Sequence, residues 1–397
     1  MPEREDNEDE DEEEETPREA RKRKQQKSNN FATVAVVIIL ILLSGYVYMG
    51  VTGNAIFGLG EKKGTVQETI KIGFMGPLSG DAASYGHGIK RGVELALKDS
   101  GLTNVEIIYE DTKCEGKEAV NAINKLINID GVSVIIGEVC SGATLAAAPI
   151  AEENQVVMIS ASSTSPKITD AGDYIFRAIP SDALQGRFAA NLVYKMNITN
   201  LSILYGNEEY GIGFKDVLKE SFEELGGNVT AAESFERGSS DLRTQLTKIR
   251  QAKPQAIFII SNSPDSAVAA LKQIKQLGMK IKVFGSEGLK GPEVAATKAT
   301  GEGLIITSVS AGTEEFFEKY YREYGLQPEP FSSQAYDSFT ALAETIKKGA
   351  KTGTEIKNAL YGISFSGVSG EIEFDSDGDV SGNYDVYQLK NGTFVLF

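Results

Sequence analysis

The chain is poor in the residues that most often carry metal and acid–base chemistry. Its 397 residues include one histidine, two cysteines and no tryptophan. A single histidine excludes His-rich metal sites and leaves His87 alone for any reaction that needs an imidazole. Two cysteines cannot build a four-thiolate zinc site, although they can form one disulfide in an oxidising compartment. Basic residues are outnumbered 40 to 56, a net charge of −16. That balance argues against nucleic-acid partners, which require basic patches facing phosphates. Enzyme signatures are also missing: there is no GxSxG, P-loop, HExxH or clear GxGxxG. The length suffices for two or three domains with real cores.

The charge that is present lies unevenly. Residues 3–15 hold eleven acids against Arg4, a solvated, self-repelling tail with no apolar surface to bury. Residues 16–30 reverse the sign, with Arg18, Arg21, Lys22, Arg23, Lys24 and Lys27 against Glu19. Twenty residues without a charge follow at 31–50. As a helix they would span roughly 30 Å, the thickness of a bilayer core. A cleaved signal peptide usually has a shorter apolar region, about 7–15 residues, behind a short basic start. An uncleaved transmembrane anchor is therefore expected, the chain crossing the cell membrane once. The basic cluster before it puts residues 1–30 in the cytoplasm and residues 51–397 outside the cell. Sequons at Asn197, Asn200, Asn228 and Asn391 agree with an exterior location, although four in so long a chain is only modestly above chance.

Residues 51–68 are Gly-rich without periodicity and read as a tether. From residue 69 short β-branched runs recur: TIKIGFM, VEIIYED, VSVIIGE, VVMISAS, LSILYGN, AIFIISN, IKVFGSE and GLIITSV. Segments with helical spacing separate most of them, at 88–100, 117–128, 183–196, 214–225 and 266–277. Apolar strands alternating with helices imply parallel sheets covered on both faces, an α/β fold of doubly wound type. A division is expected near Pro180, after the strand-like YIFRAIP. SGEIEFDSDGD and YDVYQLKNGTFVLF read as hairpins with Asp/Asn-Gly turns. Two such lobes would place a ligand in the cleft beyond the carboxyl ends of their strands.

The chemistry-bearing residues are mostly hydroxyls just past strands. Ser141 follows the strand at 132–136 and opens a helix, as an N-cap would, where free N–H groups favour an anion. Ser162, Ser163 and Thr164 follow the next strand and add donors. The same hydroxyls also suit plain helix caps and Ser-type turns. Glu287, past a strand of the second half, is either a solvated loop acid or a counter-charge for an ammonium group. Tyr85 and Tyr210, each in a Tyr-Gly pair before a helix, are either packing residues or aromatic walls of a cleft. Asp375, Asp377 and Asp379 have calcium-loop spacing, but Val386 stands where the closing Glu belongs, so a polar turn is expected. The row Phe316, Phe317, Tyr320, Tyr321 and Tyr324 has core-packing spacing.

In order, the segments IKIGFMGPLSGDAASYGHGIKRGVELAL, IIYEDTKCEGKEAVNAINKLI, VSVIIGEVCSGAT, ISASSTSPKIT, LYGNEEYGIGF, VFGSEGL, FFEKYYREYG and SSQAYDSFTAL resemble the type I periplasmic solute-binding proteins. Specifically, they resemble the leucine/isoleucine/valine-binding family of ABC transporters, from about Ile70 to Leu396.

The resemblance implies two Rossmann-like lobes joined by three crossovers, near 180–184, near 307–312 and after about 380. It divides the exterior part into lobe 1, 69–182 with about 310–380, and lobe 2, 183–309 with about 381–397. It implies a disulfide between Cys114 and Cys140. It assigns Ser141, Ser162 and Thr164, with Ser163 beside them, to a ligand carboxylate, and Glu287 to an α-ammonium. Tyr85 and Tyr210 become contacts from the two lobes. The chain departs from the family at Ser261-Asn262-Ser263-Pro264, where aromatic residues are common, so the resemblance does not assign the side-chain pocket. The function implied is capture of an amino acid or similar small solute for ABC permease and ATPase subunits, with no cofactor, metal or catalysis. A sensory ectodomain working through a signalling partner is the alternative, since this fold serves receptors as well as transporters.

Overall fold

A computed structural model describes residues 69–397. The acidic tail, the membrane span expected at 31–50 and the tether lie outside the described residues. Among the described residues no helix is long and apolar enough to cross a membrane.

The first half of this region forms β1 (Ile70–Gly76), β2 (Val105–Asp111), β3 (Val134–Ile136), β4 (Val157–Ser160) and β5 (Ile175–Arg177). They build one parallel sheet in the order β2-β1-β3-β4-β5. β3 and β4 are buried at every residue, as strands covered on both faces should be. The second half contributes β6 (Asn200–Gly206), β7 (Asn228–Phe235), β8 (Ala256–Ile260), β9 (Lys282–Gly285) and β10 (Ile305–Val309). Their order, β7-β6-β8-β9-β10, repeats that of the first sheet. β13 (Tyr384–Lys390) pairs antiparallel with β10, and β14 (Thr393–Leu396) extends the edge. β11 (Ser364–Ser366) and β12 (Glu371–Glu373) form a separate small hairpin.

The chain passes between the lobes three times. It leaves the first sheet after β5 and enters the helix Asp182–Lys195 of the second lobe. After β10 it returns, and Phe339, Leu342, Ile346, Ile356 and Leu360 join the core of the first lobe. After Val380 it goes back, to β13 and β14. Three connections close together constrain two rigid lobes to hinge rather than to separate.

Three readings of the sequence needed correction. β7 is a full strand where no apolar run exists, because it lies at the sheet edge and only Phe235 of its eight residues is buried. The first hairpin pairs Ser364–Ser366 with Glu371–Glu373, so its turn is at 367–370. Across the Asp-rich segment there is one isolated bridge, Phe374 to Val380. There Asp375 accepts the N–H groups of Asp377 and Asp379, and the segment is a polar turn. Among the described residues no cluster suits a metal ion. Helices also begin earlier than their apolar spacing suggests, at Ala83 and Glu209. Gly86 explains the first: a Cβ there would sit 1.9 Å from the Pro77 carbonyl oxygen, so glycine lets the helix start close to the loop after β1.

Cys114 and Cys140 form a disulfide with Cα atoms 5.4 Å apart and a sequence separation of 26. Closing a loop of that length stabilises by ~3 kcal/mol in the chain-entropy account.

Candidate ligand-binding site

In each lobe the strand order reverses direction once, between β1 and β3 and between β6 and β8. Crevices open at such points beyond the strand carboxyl ends. Here the two crevices share one cavity. The first lobe supplies Tyr85, Val139, Cys140, Ser141 and Ser162, and the second supplies Tyr210, Asn262, Glu287 and Gly288, with Phe331 at one side. The space is about 350 Å³ including its open mouth.

Ser141 is the first residue of the helix Ser141–Glu153, and Cys140 holds the cap position in extended geometry. The expected N-cap role of Ser141 is thus shifted by one residue. Its Oγ accepts the Ser165 N–H at 3.2 Å instead, tying the loops after β3 and β4 together. The helix N-terminus opens on the cavity, since Cys140 and Ser141 form part of its wall. Unbonded first-turn N–H groups and the helix dipole favour an anion there. Ser162 Oγ donates to the Val139 carbonyl at 2.8 Å.

Ser163 and Thr164 are not in the wall. Ser163 Oγ hydrogen-bonds the Thr144 hydroxyl at 2.7 Å and donates to the Glu138 carbonyl at 3.1 Å. Thr164 is fully buried, and its carbonyl accepts the Asp182 N–H at 2.8 Å. Both hold the turn behind the cavity. Tyr85, Ser141, Ser162, Tyr210 and Glu287 are brought together as the sequence suggests.

Glu287 starts a 3₁₀ turn directly after β9. Gly288 makes that turn possible: a Cβ on it would meet the Ser261 carbonyl oxygen at 2.1 Å. Glu287 is 4% exposed and accepts Gln185 Nε2 at 2.5 Å. Burial pushes its pKa up to about 7, against the opposing pull of the Tyr210 hydroxyl and the Gln185 amide. Burial likewise raises Glu138 to about 7, although Thr112 Oγ1 and the Cys140 N–H donate to it. Glu208 is raised to about 7 for the same reason; its carboxylate caps the next helix through the Tyr210 and Gly211 N–H groups, both at 2.9 Å. Burial pushes the Tyr85 and Tyr210 hydroxyls upward, so both are neutral donors.

The lobes touch across the cleft. Tyr85 Oη donates to the Gly288 carbonyl at 2.7 Å. Lys167 pairs with Glu209 at 2.8 Å. Arg237 donates to the carbonyls of Lys113 and Cys114 at 3.0 and 3.2 Å.

Sequence reasoning missed Val139, Phe331 and Gln185, and met Asn262 only as a departure. Phe331 packs edge-on to Tyr85, with centroids 5.7 Å apart, and has φ +66° just before the helix Ser332–Lys347. It reaches the cleft only because the chain returns to the first lobe, which no local pattern announces. Gln185 sits one residue past the expected first crossover.

Comparison with known proteins follows this geometry closely. The model of the periplasmic binding protein family matches residues 69–393. The leucine-, isoleucine-, valine-, threonine- and alanine-binding protein of Pseudomonas aeruginosa is 30% identical over 346 residues, 83% of this chain and 90% of that one. The branched-chain amino acid transporter substrate binding protein LivJ of Streptococcus pneumoniae, solved in complex with isoleucine, is 30% identical. It superposes with a TM-score of 0.76 over 82% of this chain and 98% of that one. An ABC transporter solute-binding protein of Rhodopseudomonas palustris, solved with 3,4-dihydroxybenzoic acid, is 25% identical, with a TM-score of 0.75 over 81% and 93%. The chain belongs to the periplasmic binding protein family, and the relatives it matches are named as binding proteins rather than enzymes.

Proposed function

We propose that this protein captures an amino acid, or a similar small carboxylate-bearing solute, between its lobes and delivers it to an ABC importer. One observation carries the reading. A helix N-terminus and the Ser141 hydroxyl, whose proton is free, line one wall, and the buried Glu287 carboxyl lines the other. A zwitterion needs anion donors and a cation acceptor at fixed separation, and the two lobes provide one each. Full pairing then exists only when the lobes close, so ligand contacts drive closure. The amino-acid and aromatic-acid ligands of the relatives support the same carboxylate-first grip. Ser163 and Thr164 serve by holding the loop that carries Ser162.

Residues 31–50 are read as the anchor that tethers the lobes outside the membrane, with the basic cluster inside. Their charge pattern supports this reading.

Calorimetric titration of the full chain with L-leucine, L-isoleucine, L-alanine, benzoate and 3,4-dihydroxybenzoate tests the ligand class. An amino acid should bind, and Glu287→Gln should weaken it roughly 30-fold or more, the cost of losing one partner of a buried charge pair. Tight binding of benzoates alone would replace the amino-acid reading with an aromatic-acid one. No binding by any of the five, with the protein folded, would refute the reading.

A further inference from the structure

Behind Glu287 lies a group of buried polar atoms in which three carboxyl and amide oxygens have no donor, beside the unpartnered hydroxyls of Thr164, Tyr210 and Ser286. Gln185 Nε2 donates to Glu287 Oε2 at 2.5 Å and to the Thr307 carbonyl at 3.1 Å. Both amide hydrogens are thereby used, and the reverse amide orientation would set Gln185 Oε1 against those two acceptors. Oε1 therefore points away, and it is buried without a donor. Asp182, three residues earlier in the first turn of the same helix, is fully buried, and neither of its carboxyl oxygens has a hydrogen-bond partner. Positions three apart on a helix share a face. Buried acceptors left without donors cost about 1–3 kcal/mol each, and the single proton of the unpartnered Thr164 hydroxyl facing Asp182 can serve only one of the three.

The surroundings supply no cation to serve the rest. Arg177, the base that faces Asp182, directs its donors to Asp379, Ser165 and Thr169. Glu287 from the turn after β9 and Glu208 from the loop after β6 both oppose a charge on Asp182. The Thr164 hydroxyl faces the carboxyl and favours its ionisation. Tyr384 on β13 donates to the Ser181 carbonyl at 3.1 Å. Tyr210 faces the same group from its helix. Burial is the dominant influence and favours the protonated form.

We propose that Asp182 is a neutral carboxylic acid in the folded protein and a positioning residue for the ligand site: its proton is donated to Gln185 Oε1, which fixes the amide that holds Glu287. Asp182 also begins the helix that the chain enters on its first passage between lobes, and Thr307 lies on the strand before the second. The acid facing the ligand is thus tied to the helix of the first passage and the strand before the second by one side chain, Gln185. The inference rests on reading Glu287 as the ligand-facing acid, and its protonation half can be decided without any ligand.

Two measurements on the full chain decide the protonation half. Difference infrared spectra of wild type and Asp182→Asn at pH 7 should show a carboxylic-acid C=O band lost in the variant; no such band overturns the neutral acid. Thermal melts of the same pair across pH 4–8 give the sign. A carboxyl raised by folding disfavours its charged form, so its stability contribution is full at low pH and is lost as pH rises. Asp182→Asn should therefore gain stability relative to wild type with rising pH. A constant difference, or a relative loss, overturns the proposal.

The positioning half is read with L-isoleucine as the probe. Asp182→Ala should weaken it about tenfold, the size of one lost buried hydrogen bond, and Asp182→Asn should restore most of that loss. Equal affinity for wild type and Asp182→Ala overturns the positioning role. If wild type itself fails to bind isoleucine and the other solutes, the function proposed above fails, and the spectra and melts still judge the proton.

Discussion

Tyr85 Oη donates to the Gly288 carbonyl at 2.7 Å, and the two residues belong to opposite lobes. The bond lies beside Glu287, so the residue that faces the ligand and the residue that joins the lobes are neighbours in one turn. Tyr85 is 3% exposed, and its hydroxyl stays neutral. Parting of the lobes at this point would break a buried neutral hydrogen bond. Tyr85→Phe keeps the ring against Phe331 and removes only the hydroxyl. A net bond of about 1 kcal/mol corresponds to roughly a fivefold loss. The expected result is a several-fold faster ligand off-rate with an unchanged melting temperature in the unliganded protein, measured by stopped-flow fluorescence and calorimetry. An unchanged off-rate would show that the bond is not part of closure.

A second contact holds the rim of the cleft. Arg237 follows β7 in the second lobe and donates to the carbonyls of Lys113 and Cys114, with Asp81 at 3.8 Å. Lys113 and Cys114 both have positive φ, which turns these carbonyls, and the disulfide ties Cys114 to Cys140 beside the ligand helix. Arg237 is about one-fifth exposed, so solvent moderates but does not cancel the interaction. Arg237→Met should raise the dissociation constant about three- to tenfold, mostly through the off-rate, in line with the modest worth of a part-exposed charged bond. Small-angle scattering of the liganded variant should show a larger open fraction than wild type.

Glu287 sets the pH dependence. Its pKa in this cleft is about 7, raised by burial. An ammonium group pairs with the carboxylate and not with the acid, so a proton competes with the ligand below that value. Affinity for an amino acid should fall by up to about tenfold per unit as pH drops from 7 to 5, and level off above 8. A solute with a carboxylate and no ammonium has the opposite preference, because the neutral Glu287 spares it a like charge. Glu138 and Glu208 titrate near the same pH. The Glu287→Gln variant isolates the contribution of Glu287: its amino-acid affinity should be weak and its pH slope shallower. Titrations of both proteins from pH 5 to 8 would check this.

Much of this could be read before the structure, for a physical reason. Buried parallel strands write themselves as continuous apolar runs, and β1, β6 and β8 sit within a residue or two of the segments TIKIGFM, LSILYGN and AIFIISN. The edge strand β7 buries little and leaves no such trace. Site residues at strand ends, such as Ser141 and Glu287, share a rule of position that sequence order reveals. Phe331, Gln185 and Asp182 do not. Their roles depend on the chain's returns between lobes and on where unpaired acceptors meet, which are properties of packing.

The last prediction concerns the hinge. Arg177 ends β5 and is fully buried, and Asp379 lies just before the third passage between lobes. The pair is bidentate, with Nη2 to Oδ2 at 2.6 Å, and Thr169 hydrogen-bonds both partners. Removing one partner leaves the other buried and uncompensated, which costs about 3–5 kcal/mol. Asp379→Ala should therefore lower the melting temperature strongly. Replacing both with apolar residues, as in Arg177→Met with Asp379→Leu, should recover much of that loss, because no lone charge remains. The comparison separates two roles. If the pair only stabilises, the double variant should regain stability and bind ligand normally. If it also sets the path of the third connection, stability should return while ligand affinity stays reduced, because the lobes then close at an altered angle. Melting curves and calorimetric titration of the two variants distinguish these outcomes, and a stable Asp379→Ala protein with unchanged ligand affinity would show that the ion pair is dispensable to both.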